Sequence, residues 1–243
     1  MGTVNATLVI SAHAADFVWR AGGAIALAAA RGERVRILCL SYGERGESAS
    51  AWRAGKTLDE IKAQRREEAG NAARTLGAEI EFFDAGDYPL RPTDDLLDRL
   101  VQQFREVNPA VVLTHTLADP YNDDHPTAGQ LALKARILAQ AAGYPAAGEP
   151  AGAPPVFLFE PHQPEMCGFT PDVLLDISSV FPAKRAAMEC MGAQEHLWEY
   201  YTDLAKRRGT QLQRNAGPNL GLPHTTLGEA YMRVFPQVTG VLA

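Results

Sequence analysis

Short runs of β-branched and aliphatic residues alternate with longer stretches of helical period along the chain, and this alternation limits the possible folds more than any other feature. Strand, helix and strand in succession form the βαβ unit, which builds an α/β fold, a mostly parallel sheet with helices on both faces. Thr7–Ile10 predicts the first strand, an alanine-rich helix follows over 17–30, and Val35–Leu40 predicts the second strand. A helix over 58–76 carries Leu58, Ile61, Ala69, Ala72, Ala73 and Leu76 on one face and stops at Gly77, ahead of a strand over 79–83. The helix expected over 94–108 buries Leu96, Leu97, Leu100, Val101 and Phe104, and Pro109 ends it before the strand 110–114. A helix over 125–142 leads into the proline- and glycine-rich segment 144–155, a surface excursion or a subdomain boundary. Strands at 156–159 and 173–177, a helix over 182–208 and a short element near 228–234 complete the pattern. At 243 residues, one domain spanning 1–243 with a connector near 143–155 is expected, because α/β sheets of this size form single units.

Charge and cysteine usage narrow the function classes. With 23 basic and 29 acidic residues the formal charge is −6, which argues against a non-specific nucleic-acid binder. Cys39, Cys167 and Cys190 are odd in number and far apart, so neither a disulfide framework nor a cysteine zinc site is expected, and a reducing cytoplasm fits. The apolar stretch 6–10 is too short for a signal peptide or a membrane span, and Ala6 lacks the hydroxyl that myristoylation needs, so no membrane attachment is expected.

Ligands of open α/β sheets bind beyond the carboxyl ends of the strands, which gives weight to the polar residues just after each strand. Ser11–Asp16 follows the first strand, 41–47 follows the second, and His115 followed by 119–126 comes after the fourth. His13 and Asp16, three apart at a strand-to-helix turn, can aim two ligand atoms at one point, and His125 from a neighbouring turn can complete a set of two imidazoles and a carboxylate. From spacing alone, Asp16 reads equally as a helix N-cap beside an ordinary histidine.

The strand followed by Ala12-His13-x-x-Asp16, Gly22-Gly23, Gly43-Glu44-x-Gly46, Arg65-x-x-Glu68 with Ala72-Ala73 and Leu76-Gly77, Asp124-His125 and 228–231 together resemble the LmbE-like, or PIG-L, family of zinc deacetylases across nearly the whole chain. The resemblance implies a Rossmann-like, LmbE-like fold and a zinc ion (Zn2+) held by His13, Asp16 and His125. The family's turn reads AHPDD, with its first Asp as general base; here that position is Ala15, whose methyl group cannot accept a proton. In the later loop, Asn122 stands where the family commonly has a His that assists the tetrahedral intermediate. General acid–base assistance contributes roughly 100- to 10,000-fold per group, so an amide hydrolase lacking both would be poor. The strings 14–23, 43–48, 159–165 and 194–201 are similar to a hydratase branch of this family, which implies addition of water to an unsaturated oxo-tricarboxylate in aromatic-ring catabolism.

Hydration needs a Lewis acid for the developing enolate, a base to direct water and an acid to protonate carbon. Glu47, with Glu44 as the alternative, is the expected base, and His162, in a Pro-flanked loop after a strand, the expected acid; each also reads as a structural hydrogen-bonding residue. Arg20, Arg45 and Arg65 are candidates for pairing substrate carboxylates, with Asn122 as a further substrate contact, although Arg65 and Glu68 also read as a structural pair. His115 reads as a core or supporting histidine, and His224 as solvent-facing or an oligomer contact. His196, Trp198, Tyr200 and Tyr201 read as packing or subunit contact, from which, with the proline-rich connector, a homo-oligomer is expected. A deacetylase of an N-acetylated sugar, with Glu47 as a replacement base, is the competing enzyme; a silent binding paralogue would leave the retained His13, Asp16 and His125 unexplained.

Overall fold

The computed structural model describes residues 5–216 and 221–240. Seven strands, β1 (Ala6–Ser11), β2 (Arg34–Cys39), β3 (Glu79–Phe82), β4 (Val111–Thr114), β5 (Val156–Phe159), β6 (Val173–Asp176) and β7 (Gly228–Arg233), form one sheet in the order β3-β2-β1-β4-β5-β7-β6. Pairing is parallel from β3 through β5, and β7 is antiparallel to both β5 and β6. The mostly parallel α/β sheet expected from the alternation is therefore present, with one reversed strand near the edge. Central β1 is buried along its whole length, as a strand covered on both faces must be.

The helices are α1 (Asp16–Ala30), α2 (Ala49–Arg53), α3 (Leu58–Thr75), α4 (Asp94–Val107), α5 (Asp124–Gln140), α6 (Phe181–Glu189) and α7 (Trp198–Asn215). Phe17, Ile25, Ala72, Met188 and Tyr201, from α1, α3, α6 and α7, pack on one face of the sheet; Leu100, Phe104, Leu131 and Ala135, from α4 and α5, pack on the other. A Thr57/Glu60 capping box starts α3, and the Thr93 side chain accepts from the Leu96 N–H to start α4. The 144–155 segment is strapped onto α4 and α5 by Arg105, which donates to the carbonyls of Ala139, Ala141 and Ala146, and by Arg136, which donates to Pro154. It is a surface excursion.

The helix expected over 182–208 is broken. It stops at Glu189, passes through a 3-10 turn over Gly192–Leu197, and resumes as α7 from Trp198 to Asn215. Within that turn Gln194 leaves helical geometry (φ −129°, ψ 35°), Arg65 donates to its Oε1, and Glu68 accepts the N–H of Ala193. Side chains from α3 thus hold the interruption open.

Two of the glycine-bearing strings prove structural. A Cβ on Gly23 would sit 2.5 Å from Cγ2 of Ile177, so only glycine lets α1 come this close to the end of β6. Beside it, the buried Glu229 carboxylate accepts the N–H groups of Gly23 and Ala24, the Tyr231 hydroxyl and the Lys184 ammonium, while Lys184 also donates to the Trp19 carbonyl. The 228–231 string joins β7 to the middle of α1 through this network.

The strand order reverses between β1 and β4, and at such a switch the carboxyl ends of the two strands leave a crevice. The loops after β1, β2 and β4 meet there.

Candidate functional site

At the carboxyl end of β1, Ser11–Ala15 turns into α1 and sets Asp16 in the first helical position, where its Oδ2 accepts the His13 N–H at 2.9 Å. The loop after β4 carries His125 into the start of α5 beside it, and the loop after β2 adds Glu47. One ligand atom from each of His13, Asp16, Glu47 and His125 lies within 4.8 Å of the others. His13 Nδ1 is 3.2 Å from Asp16 Oδ2 and 3.4 Å from Glu47 Oε1, and His125 Nε2 is 3.5 Å from Asp16 Oδ1.

The far side of each imidazole is tied to an acid. Nε2 of His13 is 3.1 Å from Asp124 Oδ2, and Nδ1 of His125 is 2.8 Å from Asp119 Oδ2. A ring that donates to a carboxylate on one side presents a lone pair on the other. Those other atoms, His13 Nδ1 and His125 Nε2, are buried and make no hydrogen bond. Burial alone would lower the His13 pKa, yet the surrounding Glu47, Asp124 and Asp16 raise it well above the ordinary value. Asp16, which burial would push up, is held well below the usual carboxylate range by His125 and His115. Two orphaned imidazole nitrogens facing carboxylates can hold a divalent cation, and the donor set suits it. The three metal ligands expected from the sequence are brought together, and Glu47 stands within reach as a fourth.

Asp119 and Asp124 belong to the polar cluster 119–126 marked out by the sequence, which assigns neither of them a role. The Asp124 carboxylate also accepts the N–H groups of Tyr88 and Leu90, pinning the 84–90 loop to the same point that holds His13. His115 backs the site: its Nε2 accepts the Ala12 N–H at 2.9 Å and its ring stacks on His125, 4.3 Å between centroids. Burial and His125 push its pKa down to about 3, so it stays neutral.

A cavity of about 330 Å³ opens onto the cluster, with Arg20, Glu47, Asn122, His125 and His162 in its wall. Glu47 reaches it with Oε2 anchored 3.1 Å from Arg65 Nη2. Burial raises the Glu47 pKa, and Asp16 adds to this against the opposing pull of His13 and Arg65. His162 comes from the loop after β5; the Tyr201 hydroxyl lies 3.4 Å from its Nε2, and Tyr200 donates to its carbonyl. The surrounding protein, then Arg20, pushes the His162 pKa down to about 4. Tyr200 and Tyr201 therefore cradle His162, and Tyr201 is buried with its ring stacked on Trp19.

The arginines divide. Arg20 is buried beside the cavity; its Nη1 donates to the Glu160 carbonyl at 3.3 Å, and its Nε, 3.5 Å from Asp16 Oδ1, makes no hydrogen bond. Arg65 does not face a substrate: it donates to Tyr42, Glu68, Glu47 and Gln194 and is spent on holding them. Arg45 is bound to Asp87 through its backbone and side chain and lies outside the cavity wall. Glu44 turns away as well, its buried carboxylate accepting the Tyr42 N–H within its own turn. For Glu44 and Arg45 the strand-end position misled, because the turn after β2 folds back on itself; Arg65 lies within α3 and is taken up by its neighbours there. Asn122 lines the cavity, although its Oδ1 accepts the Asp124 N–H and shapes the turn. Ala15 is fully buried in the core beside the cluster.

The GlcNAc-PI de-N-acetylase (PIG-L) family matches residues 8–136. The chain is 55% identical to the 4-oxalmesaconate hydratase of Pseudomonas putida over 98% of its own length and 93% of the relative. The crystal structure of the 4-carboxy-2-hydroxymuconate hydratase from Pseudomonas putida KT2440 superposes with a TM-score of 0.95, covering 99% of this chain and all of that one. The N,N'-diacetylchitobiose deacetylase from Pyrococcus horikoshii, 21% identical with a TM-score of 0.76, shares the fold over 94% of this chain and 83% of its own.

Proposed function

The chain belongs to the PIG-L family, and from that premise we propose that it is a hydro-lyase, adding water to 4-oxalomesaconate (4-carboxy-2-hydroxymuconate) to give 4-carboxy-4-hydroxy-2-oxoadipate in gallate and protocatechuate catabolism. The observation that carries the reading is a cation-binding set kept intact around a buried methyl at Ala15, with Glu47 and His162 reaching the same cavity from two other loops. A deacetylase needs a base beside its cation and an acid for the departing amine; a hydratase needs neither at those positions.

Zinc is the cation assigned, held by His13, Asp16 and His125; when bound it would serve as a Lewis acid toward the 2-oxo oxygen and adjacent carboxylate of the substrate. Arg20, at the cavity wall beside Asp16, pairs with a substrate carboxylate, and Asn122 offers its amide nitrogen nearby. Glu47 takes a proton from the attacking water as its oxygen bonds to one alkene carbon, while Arg65 fixes the orientation of that carboxylate. His162, neutral in the resting site, gains a proton as the anionic carboxylates of the substrate raise its pKa from about 4, and gives it to the neighbouring carbon, so the π bond is replaced by one C–O and one C–H bond. Tyr201 and Tyr200 hold the imidazole in place for that transfer. The reading includes a homo-oligomer acting in the cytoplasm; light scattering that returns a monomer at micromolar concentration would remove the first part.

The test follows the ultraviolet absorbance of the conjugated oxo-tricarboxylate, expected to fall with the wild-type protein and to persist after chelation. Acetate release from a simple N-acetyl sugar is measured in parallel. Deacetylation faster than hydration would reverse the assignment in favour of the activity named for the family.

A further inference from the structure

Tyr88 adopts φ +44°, the left-handed region that a bulky side chain rarely enters and that tends to be held at functional sites by surrounding contacts. The holding contact here is Asp124, whose Oδ2 accepts the Tyr88 N–H at 2.9 Å while its Oδ1 accepts the Leu90 N–H at 2.7 Å. The same carboxylate orients His13, so the position of Tyr88 is referred directly to the cation-binding cluster. On the other side the chain has cleared space for the ring. A Cβ on Gly46 would lie 2.0 Å from Cε2 of Tyr88, and any residue but glycine there would displace it.

What this arrangement delivers is a phenol in the wall of the cavity that Glu47 and His162 also line, with its ring centroid 6.1 Å from that of His13. The residue is 48% exposed. Unlike the hydroxyls of Tyr42, Tyr200, Tyr201 and Tyr231, which all meet another residue, that of Tyr88 has no hydrogen-bond partner among the described residues. Burial, Glu47 and Asp124 push its pKa up to about 12, so it is a donor at neutral pH. The neighbouring cluster is built of carboxylates and imidazoles, and an oxo-tricarboxylate in its oxo form brings only acceptors, which a phenol donor at the cavity wall can meet.

We infer that Tyr88 contacts the substrate, its hydroxyl donating a hydrogen bond to an anionic oxygen of the oxo-acid bound across the cluster. The inference rests on the hydratase reading. A ring needed only for packing on Gly46 would serve equally well as phenylalanine; the hydroxyl is what a substrate oxygen requires.

Tyr88→Phe keeps the ring, the backbone and the Asp124 contacts and removes only the donor. Loss of a hydrogen bond to a charged group predicts a fall in kcat/KM of about 10- to 100-fold, with metal content and thermal midpoint unchanged. Calorimetric titration with the hydrated product separates the stage of contact: weaker binding by a similar factor places the bond in the bound ground state, and unchanged binding with lower kcat places it on the developing enolate. Both outcomes support the inference. A Tyr88→Phe protein within twofold of wild type in kcat/KM overturns it, provided the wild type hydrates the substrate in the same assay. Failure of the wild type to do so counts against the hydratase reading instead.

Discussion

A carboxylate and an imidazole do opposite work on the two sides of the cavity. Glu47 is half-buried beside Asp16 yet tethered to Arg65, which favours a base that gains a proton readily without leaving its place. Glu47→Gln retains the size and the Arg65 contact without the basicity, and turnover is expected to fall by roughly 100- to 10,000-fold. Metal content, read by atomic emission, should stay at the wild-type level; loss of metal would instead make Glu47 a ligand. His162 is held neutral in the folded chain, with a pKa of about 4 against an ordinary 6.5. Between those values the unfolded chain binds a proton that the folded chain does not, so this contribution to stability is whole above about 6.5 and is lost as pH falls through the window. Thermal midpoints measured from pH 7 to 4 should therefore drop more steeply for the wild type than for His162→Gln. Parallel curves would show that the ring titrates normally.

At the scale of elements, the network between α1 and β7 is the strongest constraint on how the site-bearing helix sits. Lys184 and Glu229 are both buried, and removing one partner of such a pair leaves an uncompensated charge. Lys184→Met is expected to cost about 3–5 kcal/mol in urea unfolding, and Lys184→Met with Glu229→Gln to recover much of it. Equal losses in the single and double variants would show that the charge is not the cause. Apart from the five-residue α2, which lies in a stretch that reads as a polar, glycine-bearing loop, the strands and helices from β1 to α5 were legible because their periods and stop signals are local: Gly77, Pro109 and the apolar faces mark their own ends. What was illegible depended on distant partners. The break at 190–197 exists because Arg65 and Glu68 capture Gln194 and Ala193 from more than 120 residues away, and no periodicity reports that. The reversed β7 between β5 and β6 likewise has no local mark. In the site, position after strands made His13, Asp16 and His125 candidates and the family resemblance joined them into a set, whereas Glu44 and Arg45 occupy a similarly favoured place and are consumed by their own turn, and Arg65, within α3, by helix contacts.

The whole molecule places one crevice at the reversal of strand order and brings three loops to it, so the candidate cation cluster, the cavity and the 84–90 loop meet in one place. Among the described residues no helix is long and apolar enough to cross a membrane, and the sheet is covered by helices on both faces. Asp124 stands where these parts join, one carboxylate shared by the His13 imidazole and by the backbone of Tyr88 and Leu90. Coupling through a shared acid is reciprocal: whatever factor the cation contributes to the grip on substrate, the substrate must return to the grip on the cation. A chelator should thus strip metal from the resting protein more readily than from protein saturated with product, and Asp124→Asn should bring the two affinities together. The molecule would then hold its metal hardest while it is at work, and be most exposed to losing it when its substrate runs out.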